Sequence, residues 1–143
     1  MRLHDGENFL EIIHTETSPA NTPMAGDMRL IVRLFSGGFA GSSESVWAGR
    51  DCFRRFLTDL QALEELRHGV ARLEAIGSPD EFWMEFRSID RSGHLAVFGR
   101  LSRWQFLSTG AAYHQAVEFA FEFCPSELPI VLQQFKRMGT DIE

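Results

Sequence analysis

Between Asp80 and Arg103 the chain alternates with period two, turns at Asp90-Arg91-Ser92-Gly93, and alternates again. Phe82, Met84 and Phe86 share one side of the first arm, with Glu81, Trp83, Glu85 and Arg87 on the other. Leu95, Val97 and Leu101 mark one face of the second arm. Alternation broken by a glycine-containing turn is the pattern of an antiparallel pair with one buried face. Whatever else the chain forms must cover that face.

The remaining segments supply the cover. Residues 8–16 read as a first strand, Met28 to Phe35 as a second, and Phe39 to Ala48 as its return partner across Ser36-Gly37-Gly38. Pro19, Pro23 and Gly26 make residues 18–27 a loop. The returning strand is rich in small residues, so another element approaches it closely or it twists and bulges. From Asp51 the period changes. Phe53, Phe56, Leu57, Leu60, Leu63 and Leu66 fall on one helical face, with Asp51 or Gly49 at its start and Gly69 at its left-handed exit. Each such side chain contributes roughly 1.5–3 kcal/mol on burial, so the helix depends on a sheet beneath it.

Val70 to Ile76 is a short strand ended by Gly77-Ser78-Pro79. After the hairpin, residues 107–112 read as a loop. Tyr113 to Phe123 is a strand with Val117, Phe119, Phe121 and Phe123 on one face and Glu118 and Glu122 on the other. A closing helix starts near Ser126, carries Pro129 in its first turn, and ends at Gly139. No internal repeat is visible. The expectation is one α+β domain spanning residues 1–143. It holds an antiparallel sheet of about seven strands, open or strongly curved around one inserted and one C-terminal helix.

A chain of 143 residues with 44% hydrophobic and 24% charged residues can bury its own core, and thirteen phenylalanines make that core aromatic. The formal charge of −6 disfavours nucleic acid and anionic membrane and suits a basic protein partner. No apolar run is long enough to span a membrane, and Met1 to Glu7 lacks the pattern of a signal peptide. A cytoplasmic location is expected, with Cys52 and Cys124 as reduced, buried thiols.

No constellation for chemistry emerges. Ser36 to Ser43 is glycine-rich but lacks the following lysine of a phosphate loop, and Gly41-Ser42-Ser43-Glu44-Ser45 lacks the second glycine of a nucleophile elbow. None of the five histidines has a helical metal-binding partner, although His14, His94 and His114 share a sheet pattern that leaves convergence open. Glu118 and Glu122 stand roughly 14 Å apart along one strand, too far to act as a pair on one bond. Arg100, Arg103 and Trp104 lack the aromatic spacing of an RNA-binding sheet. Trp83, on the polar register, is either covered by a neighbouring element or an interface anchor. No catalytic residue, cofactor or metal ligand is therefore assigned. The candidate interface consists of Glu81, Trp83, Glu85, Arg87, Glu118 and Glu122.

From Val46 onward the chain resembles the WapI-like immunity family and a related family of small bacterial domains of unknown function. The resemblance lies in Phe53-Arg54-Arg55-Phe56-Leu57-Thr58-Asp59-Leu60, Asp90 with Gly93-His94-Leu95, the phenylalanine-rich strand, and Pro125-Ser126-Glu127-Leu128-Pro129. It implies a cytoplasmic, non-enzymatic protein that neutralises a cognate bacterial toxin domain by direct binding. The alternative is a small-molecule binder with a phenylalanine-lined cavity between sheet and helices.

Overall fold

Two antiparallel meanders, each followed by a helix, build the chain, whose computed structural model describes residues 1–78 and 80–140. Pro79, read from sequence as part of a strand end, lies outside the described residues. The first meander is β1 (Arg2–Asp5), β2 (Asn8–Thr17), β3 (Met28–Ser36) and β4 (Phe39–Ala48), followed by α1 (Arg50–Leu66). The second is β5 (Val70–Glu74), β6 (Phe82–Ser88), β7 (Leu95–Phe106) and β8 (Ala112–Phe123). A 3-10 turn (Pro125–Glu127) then leads into α2 (Leu128–Thr140).

The α+β class and the two helices agree with the sequence reading, but the single sheet of about seven strands does not. Among the described residues there are eight strands in two four-stranded sheets, ordered β1-β2-β3-β4 and β5-β6-β7-β8. The added strand is β1, which folds onto β2 through Asp5-Gly6 with Gly6 at φ 59°. The division lies between β4 and β5. There α1 intervenes, and among the described residues the backbone link is one hydrogen bond from the Ile76 N–H to the Trp47 carbonyl (2.8 Å) rather than a ladder.

The two inner faces and the helices share one core. Leu10, Ile12, Met28, Leu30, Val32 and Leu34 come from the first sheet, and Leu73, Phe82, Met84, Phe86, Val97, Phe121 and Phe123 from the second. Phe53, Phe56, Leu60 and Leu63 of α1 and Val131, Leu132 and Phe135 of α2 close it. Period-two alternation thus picked the buried face correctly on both sheets.

Both consequences expected of the small-residue strand occur. Leu30 faces Val46 while Val32 faces Ser43, so β4 carries an extra, bulged residue. A Cβ on Gly41 would lie 3.5 Å from Leu101 and Val117, so β4 packs directly on the second sheet.

The start of α1 is the Gly49 alternative of the sequence reading; the other helix ends differ from it. Gly49 is the N-cap of α1 without a side-chain bond, and the carboxylate of Asp27, from the preceding loop, accepts the Arg50 N–H at 3.0 Å. A carboxylate there satisfies a free donor and faces the positive end of the helix dipole. The left-handed exit is Arg67 (φ 54°) rather than Gly69. Its guanidinium holds the strained position by donating to the carbonyls of Glu64 (3.1 Å) and Pro125 (3.2 Å). Leu66, assigned to the apolar stripe, is exposed. Ser126 does not cap the closing helix; its hydroxyl lies 3.0 Å from the Cys124 thiol. Gly139 lies inside α2, where a Cβ would stand 3.2 Å from Leu57, so it sets the approach of the two helices instead of ending one. Neither cysteine is in a disulfide, but Cys124 is exposed and Cys52 half-buried, correcting the expectation of buried thiols.

Candidate binding face on the second sheet

Successive residues of a strand point to opposite sides, so the register of β5 to β8 determines which side chains meet on the outer face. Arg72 pairs with Glu85 and Glu74 with Trp83, Glu85 with Phe98 and Trp83 with Arg100, and Arg100 with Glu118. Arg87 and Glu122 flank Ala96 at the same end. Glu81 stands one step before β6 on the same alternation. All six residues of the sequence-derived interface therefore lie on one continuous face.

They differ in accessibility. Glu118 and Glu122 on the edge strand are exposed, whereas Glu81, Trp83, Glu85 and Arg87 are half-buried, Trp83 and Glu85 in contact with Arg72 of β5. The Arg72 guanidinium lies 4.6 Å from the centre of the Trp83 ring, and Arg87 lies 3.8 Å from that of Phe98. Arg72 also donates to Glu85 (2.7 Å) and Glu74 (3.0 Å), and these two carboxylate bonds hold its pKa above the ordinary guanidinium value against the opposing effect of burial. Arg100 donates to Glu118 at 3.2 Å. Trp83 is thus largely covered within the chain.

Charge balance separates the two outer faces. On the first sheet Arg2, Arg29 and Arg33 are matched by Glu11, Glu16 and Glu44. On the second, Glu74, Glu81, Glu85, Glu118 and Glu122 outnumber Arg72, Arg87 and Arg100, leaving a net negative surface.

At one end of this face the β6–β7 turn is organised by Asp90. One carboxylate oxygen accepts the N–H groups of Ser92 (2.8 Å) and His94 (3.2 Å), and the other meets His94 Nδ1. Gly93 supplies the positive φ of 87°. The side-chain bond to His94, aided by the backbone donors, holds the Asp90 carboxyl below the ordinary range, and the same bond raises the His94 imidazole. The Asp90 contribution to the turn is present above its unfolded pKa, about 3.9, and is lost as pH falls through the depressed value. The His94 contribution is complete below about 6.5 and is lost as pH rises through the raised value. The turn is therefore tightest between roughly pH 4 and 6.5. In an NMR titration His94 should titrate above an ordinary histidine, and Asp90→Asn should abolish that elevation.

At the other end lies a feature that sequence reasoning missed. β7 and β8 continue as a paired ribbon beyond Leu101, where β6 stops, out to Phe106 and Ala112. Trp104, Phe106, Leu107 and Tyr113 are exposed on it, and Trp104 stacks on His114 with ring centres 4.8 Å apart. The signal for it in the sequence is Ser108-Thr109-Gly110 between two aromatic-rich runs, the pattern of a hairpin rather than of a bare loop.

The histidines do not converge: His14 lies on β2 and bonds Thr17 at 2.8 Å, His94 is in the turn, and His114 is on the ribbon. Among the described residues no three His, Cys, Asp or Glu side chains form a metal-binding group, and no helix is long and apolar enough to cross a membrane. Comparison with known proteins found no matching family model, curated protein or solved structure.

Proposed function

We propose that the chain is a non-enzymatic binding protein that covers a basic partner protein with the acidic outer face of its second sheet. The proposed partner is a bacterial toxin domain, with the chain acting as its cytoplasmic immunity protein. The observation that carries this reading is the excess of carboxylates on the face formed by β5 to β8, in contrast to the balanced first sheet. A negative face accelerates encounter with a positive surface, and occlusion requires complementarity without any catalytic group. The resemblance to immunity proteins read from the sequence of residues 46–143 motivates the choice of a toxin.

Co-expression with each candidate toxin domain found encoded beside this chain should, for one of them, yield a stable complex and relieve toxicity. Recovery of no complex with any adjacent toxin contradicts the proposal. Glu118→Lys combined with Glu122→Lys should slow association by about tenfold at low salt. Folding stability should change by no more than about 1 kcal/mol, since such exposed charges contribute little.

The alternative of a ligand between sheet and helices gains no support from the packing. Phe53, Phe56, Phe86, Phe123 and Phe135 fill that space ring against ring, with centroids 5.0–6.2 Å apart.

A further inference from the structure

The ribbon formed by the ends of β7 and β8 has an unpaired edge. From Ser102 to Phe106, at roughly 3.4 Å per residue, it reaches about 17 Å past the end of β6. A two-stranded ribbon is marginal by itself, and an open strand edge is a template for another strand.

The phase of the ladder shows which groups are available. Ser102, opposite Ala116, donates its N–H away from β8 to the Glu81 carbonyl (2.8 Å). The Ala120 carbonyl accepts the Ser36 hydroxyl from outside (3.2 Å). Even-numbered β8 residues therefore turn their N–H and C=O groups away from β7. Ser36 covers this edge at Ala120, but among the described residues no hydrogen bond takes up the outward groups of Ala112, His114, Ala116 and Glu118. Ala112 to Val117 contains no proline, lysine or acidic residue to discourage pairing.

We propose that this edge pairs with the same edge of a second copy of the chain, antiparallel about a two-fold axis at Gln115. The free stretch, residues 112–118, is centred on that residue. Two-fold pairing sets Tyr113 against Val117, His114 against Ala116 and Ala112 against Glu118, with no like charges opposed. The chain carries a net charge of −6, and this is a neutral strip of its surface: its one carboxylate, Glu118, is already paired with Arg100.

The available area suits a dimer. Trp104, Phe106 and Tyr113 are 59%, 70% and 59% exposed. At 150–250 Å² for a buried aromatic side chain, they offer about 300–450 Å² per copy. On the outer face β8 presents only Ala112, His114 and Ala116 beside the two rings of β7, leaving them open toward the second copy. Strand pairing over residues 112–118 brings each copy toward the roughly 800 Å² per partner of a stable interface. The two second sheets then join into one; of the acidic face only Glu118, at the end of the paired stretch, enters the contact, and the inference does not depend on the proposed partner.

Light scattering on the full chain should show a mass that rises with concentration from 16.3 kDa toward twice that value. Ala116→Pro removes an outward N–H while sparing the β7 ladder, and should return the mass to that of the monomer. Tyr113→Lys, at an exposed position, should do the same without altering the backbone. Gln115→Cys should cross-link on oxidation, because directly opposed residues in such a pair lie about 4.5 Å apart, within disulfide range. A monomer at every concentration, a chain that gains mass only with a different protein, or a dimer untouched by both edge variants overturns the proposal. A dimer that fails to cross-link at position 115 overturns its axis.

Discussion

Phe56→Ala is expected to cost about 3–5 kcal/mol of folding stability, measured as a shift in the urea midpoint. The Phe56 ring is fully buried and sits at the junction of three elements. It meets Phe135 of α2 edge-on (centroids 5.0 Å apart, interplanar angle 86°), Phe86 of β6 at 6.2 Å, and Phe53 of its own helix at 6.1 Å. Because these rings belong to α1, α2 and the second sheet, no single element can shift to fill the space that truncation leaves, and the cavity term adds to the lost burial. Leu66→Ala on the same helix should change stability by less than about 0.5 kcal/mol, since its side chain is 70% exposed. Similar costs for the two substitutions would contradict this assignment of the helix face.

The second large effect is expected at Gly99, on the inner face of β7 between Met84 of β6 and Phe119 of β8. A Cβ there would collide with the Phe119 ring and stand 2.6 Å from the Trp83 carbonyl oxygen. The ring occupies the place a side chain would take, a glycine–aromatic pairing that packs a strand position otherwise empty. Gly99→Ala must displace a buried ring or part the β6–β7 ladder, an overpacking cost of about 1–3 kcal/mol. The same substitution in a Phe119→Leu background should cost measurably less, and this coupling distinguishes the steric cause from a general intolerance of alanine. A full, undiminished penalty in the double variant would place the strain against the Trp83 carbonyl instead.

Period and polarity made most of this core legible in the sequence. Met28, Leu30, Val32 and Leu34, then Phe82, Met84 and Phe86, and finally Phe119, Phe121 and Phe123 lie inward as the alternation requires. Periodicity does not encode which strands pair, since every strand has the same repeat. Two sheets and one curved sheet therefore look alike until α1 is seen to interrupt the ladder between β4 and β5. β1 was hidden because it is short and exposes Arg2, His4 and Asp5; only Leu3 is buried. Asp5-Gly6 was its signal, a strong hairpin dipeptide.

The helix ends were misread for a related reason. Gly69 and Gly139 have the composition of terminators, but a tertiary bond from Arg67 to Pro125 and the contact between α1 and α2 determine what happens there. The candidate face was legible as a set of residues because strand parity places them together. Cover of Trp83 by a neighbouring element was one of two readings, and what the sequence could not name is the residue that supplies it, Arg72 on another strand. The aromatic ribbon went unseen because strand length beyond a neighbour is a property of the sheet, not of one segment.

Hydrogen–deuterium exchange on the chain alone and mixed with the proposed basic partner reads the binding face directly. Slowed exchange is expected in residues 83–87, 96–100 and 116–122, with α1 and the first sheet unchanged. Protection concentrated on β2, β3 or the helices, with the second sheet unaltered, would contradict it.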